Sequence, residues 1–418
     1  MDGVPGTRDE KFWREDFGSE AELQDYLSQY SMQRWLLDLK EWTLETRFLP
    51  LSSEEGLAVM AHYDRRASAQ HKTVLQKLQT RIDQVVESEF DPKQPLYVRL
   101  NNVDARDGVI GSERLNHNLE LQFQSSSSPS SSSAPPPTDD NGAAIAWERA
   151  TDQTLCLQTG KQALDIISNS SRVRQAIAQH LRRVEEQGPD HNLEDWDLFL
   201  TIRASTNADP SQLFRGFVYK GKLRAVSQQR YNCYFEVVKQ NKDIIKERID
   251  AFWKAFGPSV PLANYVFDVA VPIDDEEYKP VLIDIKPWYQ ATRSLLFDWK
   301  EDLEWMKQED EKEKEKEDDE TTKQDKAKER TLSTSFEFRI VETFNERRMK
   351  GFSKDLRQKT TSQHCAANNC LLGLSAAFAG QSATTKTAIA VGSLAFLAAS
   401  AYVFVKCKPQ QQQRIGSL

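Results

Sequence analysis

Cysteine is scarce in this sequence. The five present (Cys156, Cys233, Cys365, Cys370 and Cys407) are scattered and odd in number. Neither a disulfide framework nor a zinc knuckle fits them, so the globular part is expected to be cytosolic and reduced. Glycine-rich phosphate loops of the Walker A or GxGxxG type are missing, as are HExxH and GxSxG. The six histidines show no ligand spacing, and no Ser-His-Asp order stands out. The N-terminus, "MDGVPGTRDEKFWRED", lacks the apolar run of a secretory signal. Asp2 follows Met1 where myristoylation requires glycine. Excess positive charge is missing too: the net charge is −8, which argues against a general nucleic-acid binder. Hydrophobic residues make up only 39%, so polar tracts must dilute an ordinary core. The 418 residues leave room for one large domain or two modest ones with accessory segments.

One long apolar run is present. "TAIAVGSLAFLAASAYVFV", Thr387 to Val405, carries no charge and is flanked by Lys386, Lys406 and Lys408. As a helix it would extend about 28 Å, near the hydrocarbon thickness of a bilayer. A single span there predicts a tail anchor with the preceding domain facing the cytosol. Its moderate hydrophobicity and basic flanks favour the mitochondrial outer membrane over the endoplasmic reticulum, which stays the alternative. Two low-complexity tracts interrupt the rest. "SSSSPSSSSAPPP", Ser125 to Pro137, reads as a disordered loop, and Gln308 to Arg330 as a mixed-charge spacer, either disordered or a solvated single helix.

Between these tracts the chain alternates helical and extended patterns. Arg34 to Leu51 starts helix-like and moves into a more extended stretch ending around Pro50. "PLYVRLNN", "WDLFLTIRAST", "LFRGFVYKGKLRAVSQQRY", "NYVFDVAV" and "KPVLIDIKPW" read as strands, with Gly221 in a turn. "KQALDIISNSSRVRQAIAQHLRRV" reads as two helices around a polar turn. "EVVKQNKDIIKERIDAFWKAF" reads as one amphipathic helix. The order is mixed α+β.

Strand alternation puts Val266, Asp268 and Ala270 on one face, and Leu282, Asp284 and Lys286 on one face of the next strand. An acid among buried aliphatics is costly unless it is paired or metal-bound. If the two strands pair antiparallel, both carboxylates point to one side. They would then form either a hard-cation site or structural ion pairs. Lys286 could neutralise Asp284 or replace a metal. Arg99, Arg203 and Arg215 each sit in a strand-like segment, where a guanidinium suits either bidentate phosphate contacts or partnership with those acids.

These segments together resemble the cell division cycle protein 123 family. The resemblance runs from "WTLETRFLPL" through "YVRLNNVDARDG", "IISNSSRVRQAI", "LTIRAST", "PSQLFRGFVYKGKLRAVSQQRYNCYFE", "YVFDVAV" and "VLIDIKPWYQATRSLLFDW" to "FEFRIVE". It covers roughly Arg34 to Glu342 apart from the low-complexity tracts. It implies an ATP-grasp-like α+β fold, two subdomains around a nucleotide cleft, with the transmembrane helix appended. It implies ATP contacts at Arg99, Asn101, Ile202, Arg203, Ala204, Arg215, Gln228 and Lys286, and magnesium at Asp268 and Asp284. It also implies a chaperone-like assembly factor that joins subunits of translation initiation factor 2.

Departures from the family pattern concentrate at that site. Arg99 stands where the family has a lysine, Leu213 where it has an acid, and Gln229 and Arg230 where it has "RD". Lys286 replaces an asparagine and Arg293 an aspartate, adding positive charge around the supposed metal. An asparagine carbonyl can coordinate magnesium; an ammonium cannot. The expected plan is an N-terminal extension (1–30), an ATP-grasp-like domain (31–307) with a disordered insertion (125–141), and a mixed-charge linker (308–330). A closing segment (331–360), an interfacial linker (361–386), the anchor (387–405) and a polar tail (406–418) follow. The expected function is a membrane-tethered, non-catalytic assembly or scaffold module that binds no nucleic acid. The alternatives are an active ATP-dependent ligase or phosphotransferase, and a membrane tether whose domain is merely structural.

Overall fold

The computed structural model describes residues 17–125, 140–186, 197–273, 279–302, 305–306 and 336–343. All lie within one compact unit, Met1–Gly351. The mixed-charge linker 308–330, the segment 361–386, the anchor 387–405 and the tail 406–418 lie outside the described residues, as does 126–139 of the serine-rich tract. Among the described residues, no helix is long and apolar enough to cross a membrane.

The architecture is mixed α+β, as expected, and is built on two sheets. The chain opens with helices α1 (Glu20–Ser28) and α2 (Met32–Trp35). α1 falls within the stretch expected as an N-terminal extension. Ser19 caps it, and beyond its end the Tyr30 hydroxyl donates to Asn264 O, while Tyr26 donates to Trp288 O. There follow β1 (Thr46–Leu51), α3 (Ser53–Tyr63), α4 (Ala69–Glu89), β2 (Leu96–Leu100) and β3 (Val103–Asp104). Next come α5 (Glu113–Ser125), α6 (Asp140–Leu155), α7 (Gly160–Ser168), α8 (Ser171–Glu186) and β4 (Leu198–Ala204).

The first sheet is antiparallel in the order β1-β4-β2-β3. β4 is central and almost wholly buried, whereas Pro50, with no N–H to donate, is tolerated on the edge strand β1. Val74, Leu75, Leu78, Ile82 and Val86 recur at helical spacing on α4 and pack into the core of this sheet. The expected polar turn falls between α7 and α8. Asp107 closes it by accepting from the Ser170 and Ser171 hydroxyls and from the backbone N–H groups of Ser171 and Arg172. A carboxylate is favoured there because the first N–H groups of a helix have no partner within it.

The second sheet uses β5 (Leu213–Tyr219), β6 (Lys222–Gln228), β7 (Tyr265–Ala270), β8 (Val281–Pro287) and β9 (Glu337–Arg339), in the order β8-β7-β5-β6-β9. β5 and β6 form a hairpin whose two turn residues, Lys220 and Gly221, both have positive φ. That backbone twist matches the twist of the strands it joins. The "FEFRIVE" segment supplies β9, parallel to β6. The helix expected over "EVVKQNKDIIKERIDAFWKAF" is two: α9 (Glu236–Gln240) and α10 (Lys242–Phe256). Asn241 separates them with its own side chain donating to Val237 O, a local bond that competes with helix continuation. Ile245, Ile249, Phe252 and Phe256 of α10 are buried, with the Phe256 ring edge-on to Phe267 at 5.3 Å. Gly216 on β5 lets Phe267 lie across the sheet; a Cβ there would come within 2.2 Å of the ring.

Candidate functional site

β7 and β8 pair antiparallel with Asp268 directly opposite Asp284, so both carboxylates share a face as alternation predicts. The pairing then slips: Val269 lies opposite Leu282, leaving Ile283 as the extra residue of a bulge. Leu282 therefore goes with Val269 rather than with Asp284, which corrects the strict alternation expected for that strand. The slip has a second effect. It presents the Ile283 carbonyl to Arg203, whose Nη1 donates to it across the two sheets at 2.5 Å.

Each acid is held by a guanidinium. Arg215, opposite Asp268 on β5, donates from Nε at 2.7 Å and from Nη2 at 2.9 Å to the two Asp268 oxygens. Arg99 comes from β2 of the other sheet. Its Nη1 and Nη2 grip Asp284 at 2.9 and 3.2 Å, and Nη2 also lies 3.7 Å from Met32 Sδ. Lys286 bridges the two acids: its ammonium is hydrogen-bonded to Asp284 Oδ2 and lies 3.4 Å from Asp268 Oδ2. Both acid side chains are only 5–7% exposed, whereas that of Lys286 is 28% exposed, so Lys286 is the group of this ladder most open to solvent.

Burial alone would push both carboxyls up. The charges of Arg99 and Lys286 beside Asp284, and of Arg215 and Lys286 beside Asp268, outweigh it and hold both below the usual carboxylate range. Arg203 differs from the other two arginines because it bonds only neutral acceptors, the Thr46 and Thr43 hydroxyls and the Ile283 carbonyl. Burial, followed by repulsion from Arg99, pushes it down to about 9.

The donor set does not fit a divalent cation. Asp284 Oδ1 accepts from Arg99 and from the Ile285 N–H, and Asp284 Oδ2 from Arg99 and Lys286. Asp268 Oδ2 faces Arg215 and Lys286, and Asp268 Oδ1 accepts from Arg215. A carboxylate offers about four lone-pair positions, and here nearly all are taken by N–H donors. Magnesium needs near-octahedral oxygen ligands and would have to displace at least one cation. Among the described residues, no group of three or more His, Cys, Asp or Glu side chains could hold a metal.

The charged residues expected at the site are thus brought together: Arg99, Arg203, Arg215, Asp268, Asp284 and Lys286. The others are occupied elsewhere. Ile202 and Ala204 lie in the central strand β4, buried and paired on both sides. Gln228 is fully buried, donating to Arg230 O and Cys233 O and accepting from Val341 N. Asn101 turns the chain from β2 into β3 with φ +48°, its side chain bonded to Asp197 O and Phe199 N.

A second ionic cluster escaped the sequence reading. Arg106 bonds Asp152 at 2.5 Å and Glu148 at 2.6 Å. Arg230 donates to Asp152 at 3.0 Å and lies 3.2 Å from Glu148. Asn232 donates to Glu148 as well. Glu148 and Asp152 stand i, i+4 on α6, on a stretch that buries Ala146 and Ala150, and two acids at that spacing next to a buried stripe were the available signal. Thr43 and Thr46, which seat Arg203, carried no such signal.

The D123 family model matches residues 146–366. "Translation initiation factor eIF2 assembly protein" of Aspergillus fumigatus is 35% identical over 111 residues, 26% of each chain. The protein of that name from Xenopus tropicalis is 29% identical over 153 residues, 36% of this chain and 44% of that one. "Cell division cycle protein 123" of Aspergillus terreus is 37% identical over 106 residues, 25% of each. The chain thus spans between a quarter and less than half of the length of these relatives. The solved structure of Cdc123 from Schizosaccharomyces pombe aligns with a TM-score of 0.46 at 17% identity, covering 76% of this chain and 98% of that one. The family model covers more than half of this chain, and the chain belongs to the D123 family.

Proposed function

We propose that this D123-family protein is an assembly factor for translation initiation factor 2, which holds its subunits without turning over a substrate. Family membership supports the class, and the names of the relatives support the partner. The observation that carries the non-catalytic reading is the closed ladder Arg99–Asp284–Lys286–Asp268–Arg215. Both of its carboxylates are committed to nitrogen donors, so neither of the two is free to take a proton.

In this reading the fold is of the ATP-grasp type, and the cleft beside Lys286 takes the phosphates of a nucleotide as a structural ligand. Arg99, Arg203 and Arg215 set the shape and positive field of that cleft, and Lys286 meets the ligand. Thr387 to Val405 tethers the protein to a membrane, its domain facing the cytosol. The test is copurification of the full chain with the separate subunits of the initiation factor, with and without ATP. Recovery of a subunit pair supports the reading, and recovery of none overturns it. Release of the protein to the soluble fraction on deletion of Thr387 to Val405 checks the tether; continued membrane retention counts against it.

A further inference from the structure

The two acids on β7 and β8 look like the start of a cation site, and the donor count shows it already filled from within. Three cationic side chains contact two carboxylates, and Arg203 stands next to Arg99 with only neutral partners. The cluster therefore carries surplus positive charge before any ion arrives. The surplus is not spread evenly. Arg99 and Arg215 are buried and locked bidentately, whereas the Lys286 side chain is partly exposed and sets its ammonium between Asp268 Oδ2 and Asp284 Oδ2. From there one cation touches both acids.

We propose that the Lys286 ammonium is the resident cation of this pair of acids. It replaces a divalent ion between Asp268 and Asp284, so that an anionic ligand binds here independently of divalent metal. Two physical features carry the idea. A second cation cannot enter the same gap without displacing the first, because three of the four carboxylate oxygens already meet two donors each. And the ammonium keeps only part of its donor capacity for the acids, since it has three N–H groups and contacts two oxygens. The remaining donor is free to meet a phosphate oxygen. The part about the ligand rests on the nucleotide reading above; the part about the cation does not.

The test uses the full chain, with Mn2+ alone as the first probe, read by paramagnetic relaxation of water protons. Three forms are compared: wild type, Lys286→Asn and Lys286→Arg. Lys286→Asn removes the ammonium and supplies a carbonyl oxygen, and leaves both bidentate arginine pairs in place. The expected result is no site in wild type or Lys286→Arg, and one Mn2+ site in Lys286→Asn with affinity gained by about tenfold or more. A stoichiometric Mn2+ site in wild type overturns the proposal. So does a folded Lys286→Asn, checked by its circular dichroism, that gains none. If Lys286→Asn does not fold, wild type and Lys286→Arg still decide: silence in both supports the proposal and binding in either overturns it. The second probe is ATP, titrated calorimetrically into wild type with excess Mg2+ and with excess EDTA. Equal affinity in the two supports metal independence, and binding only with Mg2+ overturns it. Absence of ATP binding in both conditions defeats the nucleotide reading instead, and the Mn2+ arms then decide the cation claim alone.

Discussion

Two ionic clusters in this molecule use the same side-chain types to different ends. In the cluster under α6, two guanidiniums meet two carboxylates, Arg106 and Arg230 against Glu148 and Asp152, and charge balances. In the cluster between the two sheets, Arg99, Arg215 and Lys286 contact Asp268 and Asp284, with Arg203 alongside, and it does not. The first ties α6 to the segment after β6 and to the turn after β3. The second joins the two sheets and includes one partly exposed side chain, that of Lys286. In the first, the cations that meet each carboxylate are guanidinium groups; in the second, the cations outnumber the acids they contact, and the one lysine among them is the most exposed side chain of the set.

The largest expected effect separates the two. Asp284→Ala strands the buried Arg99 without its acid and leaves Lys286 only Asp268, and should cost about 3–5 kcal/mol of stability. The urea midpoint reports it. Asp152→Ala acts on the balanced cluster, where the acid is more exposed and Glu148 still meets both arginines. Its cost should be about 1–3 kcal/mol by the same measurement. If the two losses are equal, the contrast between the clusters fails. A third carboxylate, Asp107, is satisfied entirely by hydroxyls and N–H groups at the start of α8. Asp107→Ala should cost about 1 kcal/mol, with helix content reduced near Ser171 in hydrogen exchange.

The smallest effect is on pH dependence. Asp268, Asp284 and Asp152 all have folded-state pKa values below the usual range. Their stabilisation is therefore complete above the unfolded carboxylate value near ~4 and is lost as pH falls below it toward the lower folded values. Urea midpoints collected from neutral pH downward should fall most steeply in that acid window. The curve for Asp284→Ala should be flatter than that for Asp152→Ala, because burial is deeper and two cations act on Asp284.

Much of this was visible in the residues. The alternation of "YVFDVAV" and "VLIDIKPW" placed Asp268 and Asp284 on one face, and the "KGK" turn marked the β5–β6 hairpin, because both depend on neighbours in the chain. The bulge at Ile283 was not visible, since nothing local demands it; it follows from fitting β8 against β7 while Trp42 and Thr43 bond its outer edge at Leu282. The split at Asn241 depends on one side chain bonding its own helix, which a hydrophobic pattern does not register. The cluster under α6 stayed hidden because its arginines arrive from segments 42 and 78 residues away from their acids.

What the sequence determined by itself was the mixed α+β order, the positions of the strands and the presence of two costly acids with candidate cations among them. Tertiary structure alone decided between an open metal site and a closed ladder. Periodicity shows which face a side chain takes, but not which charge comes to meet it. Arg99 lies 185 residues from Asp284 and on the other sheet. Only the docking of β2 against β8 brings its guanidinium within bonding distance. Once both are out of water, the cost of an unpaired carboxylate makes the nearest cations its partners. Lys286, two residues from Asp284 on the same strand, completes the set from the side that faces solvent.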